Sequence, residues 1–576
     1  MSAAYGLAGV LLVVVATVLI GVLGVRISQT TSDFYVASRT VTPLRNASAI
    51  GGEYLSAASF LGIAGLILAY GADMLWLPVG WTGGYLILLV LVSAPLRRSG
   101  AYTLPDFAEA RLESMAVRRV ASVLVVLISW LYLLPQFQSA GLVLRTVTGA
   151  PVWTGGVLIA VVVAVNVLVG GMRSVTLVQA FQYWMKLTAL AVPLVFLLLA
   201  WRYDGAPGPS SDAPPRFNDR TTVAVGVAVT VNVAAPIQVT VDGQVDGRAY
   251  SGAPVTLNPG THRLSQDTSI TFPAGADVPH VSGRPVSTDR QWALPLGGRD
   301  HSLYATYSLI LATFLGTMGL PHVLVRFYTN PDGRAARRTT VMVLSLLGAF
   351  YVLPAIYGVL GRLYTPELLM TGRADAVVLT LPGRLIGGLG GDLLGALVTG
   401  GAVAAFLSTS SGITVSVAGV LAQDILRGGV RSFRVGTLLA LVVPLCLAIA
   451  ARSLAVADVV GLAFAVAAST FCPLLVLGVW WRRLTVPGAL AGLVSGGALA
   501  GTAVVVTIAA GPPAGLLGAL LAQPAAWTVP IAFTVMIVVS LCTPGRVPPG
   551  VARMMVRLHT PESLAVDRGT WRPRRV

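Results

Sequence analysis

Long apolar runs dominate this chain, and short polar connections that carry arginines separate them. A helix needs about 20 apolar residues to cross a bilayer. Thirteen runs reach this length and predict thirteen transmembrane helices, at about 4–26, 44–71, 74–96, 117–146, 151–170, 176–201, 302–328, 338–363, 385–424, 434–452, 455–481, 487–510 and 525–543. The ninth run exceeds a single crossing, so part of it is expected to lie at the interface or in a loop.

The second run contains a stretch that disturbs its apolar pattern, Ala49 to Gly65, AIGGEYLSAASFLGIAG. It carries a glycine pair at 51–52, the acid Glu53 and the hydroxyls of Ser56 and Ser59. Each glycine lowers helix stability by roughly 1 kcal/mol. Irregular backbone within a membrane is tolerated where it lines a cavity, and interrupted helices of this kind mark transporter binding sites. The stretch predicts a broken helix at a binding site.

One connection, 202–301, is long and polar. It opens with the linker APGPSSDAPP, and its segments TTVAVGVAVTVNV and PIQVTVDG then alternate apolar with small or polar residues. Period-two alternation between turn signals is typical of strands. The sequence predicts a small β-rich insert, with a disordered loop as the alternative.

The arginines predict the orientation of the chain. The connections after odd-numbered spans and the tail are rich in them: Arg39, Arg45, Arg97, Arg98, Arg111, Arg173, Arg334, Arg337, Arg338, Arg427, Arg431, Arg482, Arg483, Arg553, Arg557, Arg572, Arg574 and Arg575. The short even-numbered connections carry few, such as Arg145 and Arg452. Because cytoplasmic loops carry the excess of positive charge, the N-terminus is predicted outside, the C-terminus in the cytoplasm and the insert on the outer side.

Composition narrows the class of protein. Of 576 residues, 55% are hydrophobic and 11% charged, against about 25% charged in soluble domains. The net charge of +16 falls in the connections between spans, so it indicates topology rather than nucleic-acid binding. The first apolar run, from Tyr5 to Val25, lacks a basic start and a small-residue cleavage site, and is predicted to be a retained span. The chain is predicted to be a polytopic protein of the lipid bilayer.

The sequence lacks motifs for metal binding, a disulfide framework and nucleotide binding. Cys446, Cys472 and Cys542 have no metal-site spacing and predict no disulfide framework. No GxxxxGK[ST] loop is present, so ATP-driven transport is not expected. Neither an enzymatic activity nor an organic cofactor is predicted.

The ninth span contains four consecutive hydroxyl residues, Ser408 to Ser411. Ala405, Ser408 and Thr409 stand at i, i+3 and i+4, so they share one helical face. Two hydroxyls and a carbonyl are oxygen ligands of the kind that a hard cation such as Na⁺ prefers. The alternative is that these hydroxyls fill tight helix contacts or bond back to their own helix.

Two charged residues are predicted within the membrane, where such residues are functional candidates by default. Glu53 is expected to neutralise a cation or carry a proton, which would make H⁺ the driving ion. Its alternative is a structural hydrogen bond. Lys186, the only lysine, lies about ten residues into the sixth span and would supply positive charge to a carboxylate. Snorkelling or pairing with another helix is the alternative.

Several motifs, in order, resemble the solute:sodium symporter family, and within it the acetate permease (cation/acetate symporter) branch. They are SDFYVASRTVTPLRNASAIGGEYLSAASFLG, YTLPDFAEARL, GGMRSVTLVQAFQ, GTMGLPHVLVRFYTNPDGRAARRT, VVGLAFAVAAST and WWRRLTVPGALAGLVSG. The resemblance covers the chain apart from the 202–301 insert and the tail.

The resemblance implies an all-α, LeuT-like core of two inverted repeats of five helices. The expected divisions are the first helix and loop at 1–43, the first repeat at 44–201, the insert at 202–301, the second repeat at 302–481, the last two spans at 482–543 and a tail at 544–576.

The resemblance also implies a sodium site between the second and ninth spans. Its ligands would be the carbonyls of Gly52, Leu55 and Ala405 and the hydroxyls of Ser408 and Thr409. In the family's pattern a basic residue falls about one turn before Lys186, nearer Gln182, which puts direct contact between Lys186 and the substrate in doubt.

The seventh span would border the substrate cavity. There Pro321 frees a backbone carbonyl and precedes His322, which is either a cavity residue or a hydrogen-bonded core histidine. The remaining polar candidates are Ser56, Ser59, Tyr132, Gln136 and Gln138. Arg326 is predicted to anchor the end of the seventh span at the membrane surface.

These inferences predict a symporter in a bacterial cell membrane. It would couple Na⁺ entry to the uptake of a small monocarboxylate such as acetate, propionate or pyruvate. The alternatives are coupling to H⁺, another solute such as an amino acid, sugar or other organic anion, and a membrane sensor on a transporter scaffold. The oligomeric state stays open.

Overall fold

The computed structural model describes residues 3–25, 41–208, 212–226, 228–282, 288–296, 301–426, 429–450, 456–511, 513, 515–561 and 563–564. Part of the arginine pattern that predicts orientation therefore lies outside the described residues, namely Arg39, Arg427, Arg452, Arg572, Arg574, Arg575 and the side chain of Arg173.

The described chain is mainly helical. Its α-helices are α1 (Ala3–Val25), α2 (Pro43–Tyr54), α3 (Ile63–Tyr70), α4 (Trp76–Ile87), α5 (Ser93–Arg98), α6 (Leu104–Leu112), α7 (Met115–Thr148), α8 (Val152–Tyr203), α9 (Asp289–Ala293), α10 (Ser302–Gly319), α11 (Pro321–Val325), α12 (Gly333–Tyr364), α13 (Val377–Leu385), α14 (Gly388–Val420), α15 (Val430–Ala450), α16 (Val456–Trp480), α17 (Val486–Ala510), α18 (Gly515–Ala522), α19 (Ala525–Cys542) and α20 (Val551–His559). Single π-helical turns, at Ala58–Gly62, Leu88–Val92 and Leu421–Ile425, extend three of them.

In the described residues, twelve helical stretches are long and apolar enough to cross a membrane, one fewer than the sequence predicts. The difference lies in Ala58–Arg98, a stretch of 41 residues in place of two predicted spans. Gly71 interrupts it, with φ +74° at the end of α3, a conformation that glycine adopts without strain. The two halves of this stretch differ in their main partners, because α3 packs mostly on α12, whereas α4 packs mostly on α10 and less on α12.

Two helices are interrupted where they are most buried. After α2 the chain leaves helical geometry at Leu55, with ψ +82°, and resumes a helix at Ala57. After α10 it leaves helical geometry at Leu320, with ψ +118°, and Pro321 opens α11. Proline suits the first turn of a helix because it has no N–H to leave unpaired. The Leu55 break falls within the predicted stretch, but the helix continues through both glycines at 51–52.

The broken helices are enclosed by long ones. α8, a continuous helix of 52 residues with two apolar windows at Val152–Val169 and Ser174–Tyr203, packs against α1, α2, α7 and α14. α10 packs against α4 and α16. The buried site described below lies where α2, α8 and α14 meet.

The described part of the polar insert contains seven strands: β1 (Thr221–Val225), β2 (Val229–Val233), β3 (Ile237–Val245), β4 (Arg248–Leu257), β5 (Gly260–Leu264), β6 (Thr268–Phe272) and β7 (His280–Val281). They form an antiparallel sheet in the order β1-β6-β3-β5-β2-β7, with β4 paired to β3. Alternate residues are buried along β1, which matches the period-two pattern of the sequence. Trp292 of α9 then donates from Nε1 to the Ile67 carbonyl at 2.7 Å and attaches the end of the insert to α3.

Candidate functional site

The break after α2 frees a backbone acceptor inside the protein. The Ser56 amide donates to the Tyr54 carbonyl at 2.9 Å rather than to Gly52 four residues earlier. The Gly52 carbonyl is therefore available to another partner. The glycine itself serves close packing, because a Cβ at Gly52 would overlap the Gln179 carbonyl oxygen of α8.

The Lys186 ammonium lies at this freed carbonyl. Its Nζ donates to the Gly52 carbonyl, to the Leu55 carbonyl at 2.7 Å and to Ser408 Oγ at 2.6 Å. All three acceptors belong to the predicted sodium ligands. Lys186 is fully buried, so among the alternatives for this lysine the structure has it pairing with other helices. It neither snorkels to the surface nor, in this arrangement, leaves a donor for a carboxylate.

Of the other predicted ligands, Thr409 joins α14 directly to α2, and Ala405 is bonded within α14. Ser408 Oγ donates to the Ala405 carbonyl at 3.1 Å, and Thr409 Oγ1 donates to the Glu53 carbonyl at 2.6 Å. The predicted face of α14 therefore meets the broken helix. Its hydroxyls make both kinds of contact considered from the sequence, back to their own helix and across to another.

Glu53 forms a buried ion pair with Arg326. Arg326 Nε lies 2.7 Å from Glu53 Oε2, and each side chain is 1% exposed. Arg326 also donates to Thr176 Oγ1 at 2.8 Å and to Gln179 Oε1, while Gln179 Nε2 donates to the Ser408 carbonyl at 2.7 Å. The prediction that Arg326 anchors the span at the membrane surface was therefore wrong. The turn that carries it, Arg326–Thr329, is buried against the other helices.

Four predicted polar candidates surround the two breaks. Gln136 Oε1 accepts from the Ala57 amide at 3.1 Å, and Tyr132 OH donates to Ser56 Oγ at 3.5 Å. The rings of Tyr132 and His322 are 5.1 Å apart and meet edge to face. Tyr132 therefore contacts a residue beside each break, Ser56 at the Leu55 break and His322 at the Leu320 break. Gln138 lies elsewhere and donates to the Ala448 carbonyl at 3.2 Å.

Aromatic residues extend this region from Tyr132. Phe464 of α16 lies 6.1 Å from Tyr132, 5.7 Å from Trp81 and 6.3 Å from Tyr54, ring centroid to ring centroid. Tyr54 packs edge to face on Tyr85 at 4.8 Å. We call these five residues, together with His322, the aromatic cluster: Tyr54, Trp81, Tyr85, Tyr132, His322 and Phe464.

The aromatic cluster contains buried polar atoms without protein partners. They are Trp81 Nε1, Tyr85 OH, both ring nitrogens of His322 and, beside the cluster, Gln136 Nε2. Each of these residues is at most 1% exposed. A buried donor without a partner costs roughly 1–3 kcal/mol. Such donors grouped around one pair of helix breaks are suited to bind an acceptor-rich ligand.

A cavity of about 820 Å³ approaches the cluster from one side. Its lining is almost wholly apolar and includes Trp292, Val79 and Tyr351. Tyr351 OH lies 3.2 Å from Ser59 Oγ, and its ring lies 5.9 Å from that of Trp81. Tyr351 therefore separates the cavity from the predicted residue Ser59.

Sequence reasoning missed part of this site. It did not select Trp81, Tyr85, Tyr351, Phe464 or Gln179, because aromatic residues within apolar spans are indistinguishable from core residues by pattern alone. A signal did exist for Arg326 and Gln179, since a charge or amide at mid-span requires a partner.

Gly52 offers a direct test of the close packing at the site. We expect Gly52→Ala to lower the unfolding free energy by about 1–3 kcal/mol, because the added methyl meets fixed backbone of α8 rather than a flexible side chain. The control is Gly419→Ala in α14, where a Cβ has nothing within 4 Å and alanine favours the helix. Thermal unfolding of both variants in detergent measures the difference. Equal midpoints would contradict the packing.

The fold and the site define a class of protein: a multi-span membrane carrier in which broken helices meet at a buried polar site. The family model for the sodium:solute symporter family matches residues 34–202 and 299–496. The chain therefore belongs to the sodium:solute symporter family, as its motifs indicate.

Relatives with assigned names agree with this membership. The chain is 31% identical over 497 residues to the uncharacterized symporter YwcA of Bacillus subtilis, covering 84% of this chain and 83% of the relative. It is 28% identical over 506 residues to the monocarboxylic acid transporter of Corynebacterium glutamicum, covering 84% and 80%. A solved Na⁺-coupled sialic acid symporter, in a substrate-bound outward-open state, matches the fold with a TM-score of 0.63 at 14% identity, covering 94% of this chain and 97% of that one.

Proposed function

We propose that the protein is a secondary active symporter that couples the entry of a cation to the uptake of a small monocarboxylate such as acetate, propionate or pyruvate. Membership of a symporter family supports the transport class. The monocarboxylic acid transporter of Corynebacterium glutamicum supports the substrate class. Substrate and cation would bind at the two helix breaks, and the helices around them would rock to expose the site to either side in turn.

The observation that supports a carboxylate substrate is the chemistry of the aromatic cluster. Trp81 Nε1 is a donor only, and the hydroxyl of Tyr85, the amide nitrogen of Gln136 and the imidazole of His322 each have a proton to donate. All lack protein partners. A carboxylate presents about four acceptor sites and no donor, so it matches this set, and the rings of Phe464 and Tyr132 suit the short apolar remainder of acetate or propionate.

The cation would act beside the substrate. Na⁺ is the expected ion of the family, with Gly52, Leu55, Ala405, Ser408 and Thr409 as its candidate ligands, and H⁺ is the alternative. The ion drives the cycle only by binding the two conformations with different affinity. An ion that joins α2 to α14 across the break would bind the two conformations with different affinity, because those helices belong to different repeats in the proposed division at 44–201 and 302–481.

The proposed topology has thirteen crossings, counting α3 and α4 separately because of Gly71. The N-terminus lies outside, the C-terminus lies in the cytoplasm and the β insert lies outside, in the bacterial cell membrane. The apolar cavity that reaches Tyr351 also contacts Trp292, which lies near the end of the insert. It would therefore open on the outer side, as a vestibule for substrate.

Uptake into proteoliposomes tests the substrate class. We expect radiolabelled acetate, propionate or pyruvate to accumulate under an imposed cation gradient. Unlabelled monocarboxylates should compete, and the matched amides acetamide and propionamide should not, because an amide adds two donors to a site already rich in donors. Accumulation of an amino acid or a sugar instead, or competition by the amides as strong as that by the acids, would contradict the carboxylate assignment.

A further inference from the structure

We propose that Gln136 couples the substrate to the cation: the oxygen of its side-chain amide holds the broken helix in place, and the nitrogen binds the carboxylate. This inference rests on the proposed symport function and names the side chain that links its two ligands. Gln136 is fully buried on α7, and its amide lies against the chain just after the Leu55 break.

The orientation of the Gln136 amide follows from its contact with Ala57. The Ala57 backbone nitrogen lies 3.1 Å from Oε1. A backbone N–H can only donate, so the end of the side chain that faces it is the oxygen. The amino nitrogen Nε2 is the other end, and it has no hydrogen-bond partner among the described residues. Because a buried donor is costly to leave unpaired, Nε2 is suited to bind a ligand that brings an acceptor.

Two side chains hold the Leu55 break, one on each side of it. Before the break, Lys186 of α8 donates to the carbonyls of Gly52 and Leu55. After the break, Gln136 of α7 accepts from the Ala57 amide. The carbonyls of Gly52 and Leu55 are candidate cation ligands, so a side chain that fixes Ala57, two residues beyond Leu55, helps to set the geometry of the cation site.

The first amides after the break are already paired with side chains. Gln136 Oε1 accepts from Ala57, and Ser56 Oγ accepts from the Ala58 amide at 3.2 Å. The N–H groups at the start of a helix have no acceptor within it and attract anions. With these two amides occupied, a carboxylate acts on the break through a capping side chain rather than through the backbone. Of the two capping side chains, Gln136 is the one with unpaired donors.

The free end of Gln136 belongs to the proposed substrate site. Tyr132 lies one turn earlier on α7, and residues four apart share a face of a helix. The ring centroid of Tyr132 lies 5.1 Å from that of His322, whose two ring nitrogens also lack partners in the described part of the chain. Gln136 therefore stands on the face of α7 that borders the other donors proposed to bind the carboxylate.

The two ends of the Gln136 amide belong to one planar, conjugated group. A hydrogen bond donated from Nε2 to an anion fixes the plane of the amide and polarises it, which strengthens the bond accepted at Oε1. Substrate binding therefore stabilises the Ala57 contact and, with it, the position of the Leu55 carbonyl. By thermodynamic linkage, a cation that orders the same break raises the affinity for the carboxylate by the same factor.

Hydrogen exchange of the peptide that contains the Ala57 amide tests the oxygen end of the side chain. In the unaltered protein in detergent, we expect acetate to slow this exchange about fivefold, the effect of one typical hydrogen bond. In Gln136→Leu, exchange without acetate should be about fivefold faster, and acetate should no longer slow it. Gln136→Glu keeps an oxygen that accepts from Ala57, so exchange without acetate should return to within about twofold of the unaltered rate.

Uptake into proteoliposomes tests the nitrogen end. Gln136→Leu should raise the KM for acetate about tenfold, because a hydrogen bond to a charged group is lost. Raising the external driving ion, supplied as Na⁺ and as H⁺ in turn, should lower the acetate KM of the unaltered protein, and this dependence should weaken about threefold or more in Gln136→Leu. Gln138→Leu is the matched control two residues further along α7, where Gln138 donates to the Ala448 carbonyl at 3.2 Å. It should keep the unaltered KM and the unaltered exchange.

The inference is overturned if Gln136→Leu exchanges the Ala57 amide as slowly as the unaltered protein, or if Gln136→Leu and Gln138→Leu change the acetate KM equally. Uptake of none of acetate, propionate and pyruvate by the unaltered protein would count against the proposed function and the substrate half of this inference. Exchange in Gln136→Leu needs no transport, so it would still decide whether Gln136 holds the break. If Gln136→Leu does not fold, the unaltered protein decides the question, and exchange that acetate leaves unchanged overturns the coupling.

Discussion

Arg326→Gln is expected to destabilise the protein by about 3–5 kcal/mol, because it leaves the Glu53 carboxylate buried without its partner. Both side chains are 1% exposed and 2.7 Å apart, so water cannot replace the guanidinium. Labelling of Cys472 provides the measurement, since this thiol is buried in the folded protein and becomes accessible to a reagent on unfolding. The labelling midpoint on heating should fall well below that of the unaltered protein.

Arg337→Gln is the control for this prediction. Arg337 is exposed near the start of α12, and surface substitutions of this kind usually change stability by less than about 0.5 kcal/mol. The double variant Arg326→Gln with Glu53→Gln should lose less than the sum of its two single variants, because removing both charges leaves no unpaired ion. Additive losses, or an Arg326→Gln midpoint equal to that of Arg337→Gln, would mean that the pair contributes little.

The sequence predicts the location of the site through residues that do not suit a lipid-facing helix. Glycines, an acid and hydroxyls within one apolar run identify the region of the break, and four hydroxyls identify the facing helix. The break itself falls at Leu55 and Ser56 rather than at the glycine pair. The reason is that helix propensity is a weak prior against packing, and both glycines are used to bring α2 against α8.

The partners of the charged residues could not be read from the sequence. Lys186 is visibly alone among arginines, but its three acceptors lie 134, 131 and 222 residues away along the chain. Only the tertiary fold brings them together. Arg326 was misplaced for a related reason. Its position at the end of an apolar run is typical of a surface anchor, and the break at Leu320 that leads its segment inward is marked only by Pro321.

Arg118→Gln is expected to have an effect as large as that of Arg326→Gln, at a second buried cluster. Arg118 of α7 lies 2.9 Å from Asp106 and 2.8 Å from Asp424, and also pairs with Glu109. None of the four side chains is more than 4% exposed. Removing the guanidinium leaves three buried carboxylates without it, so a loss of at least about 3–5 kcal/mol is expected. Cys472 labelling on heating again measures it, against Arg337→Gln.

The loss from Arg118→Gln should depend on pH in a defined direction. Burial raises the pKa of Asp106 from its ordinary value to about 6, with nearby Asp424 adding to the rise and Arg118 opposing it. A raised pKa means that folding favours the protonated acid, so this contribution to stability is present below about pH 4 and is lost as pH rises through 6. Without Arg118 the pKa of Asp106 rises further, so the stabilising contribution of the protonated acid persists to a higher pH.

The difference in midpoint between the variant and the unaltered protein should therefore be largest near pH 7.5 and shrink below pH 6, because a protonated Asp106 gains little from a guanidinium. A difference that stays constant from pH 5 to 8 would show that Arg118 stabilises the fold by packing rather than by charge.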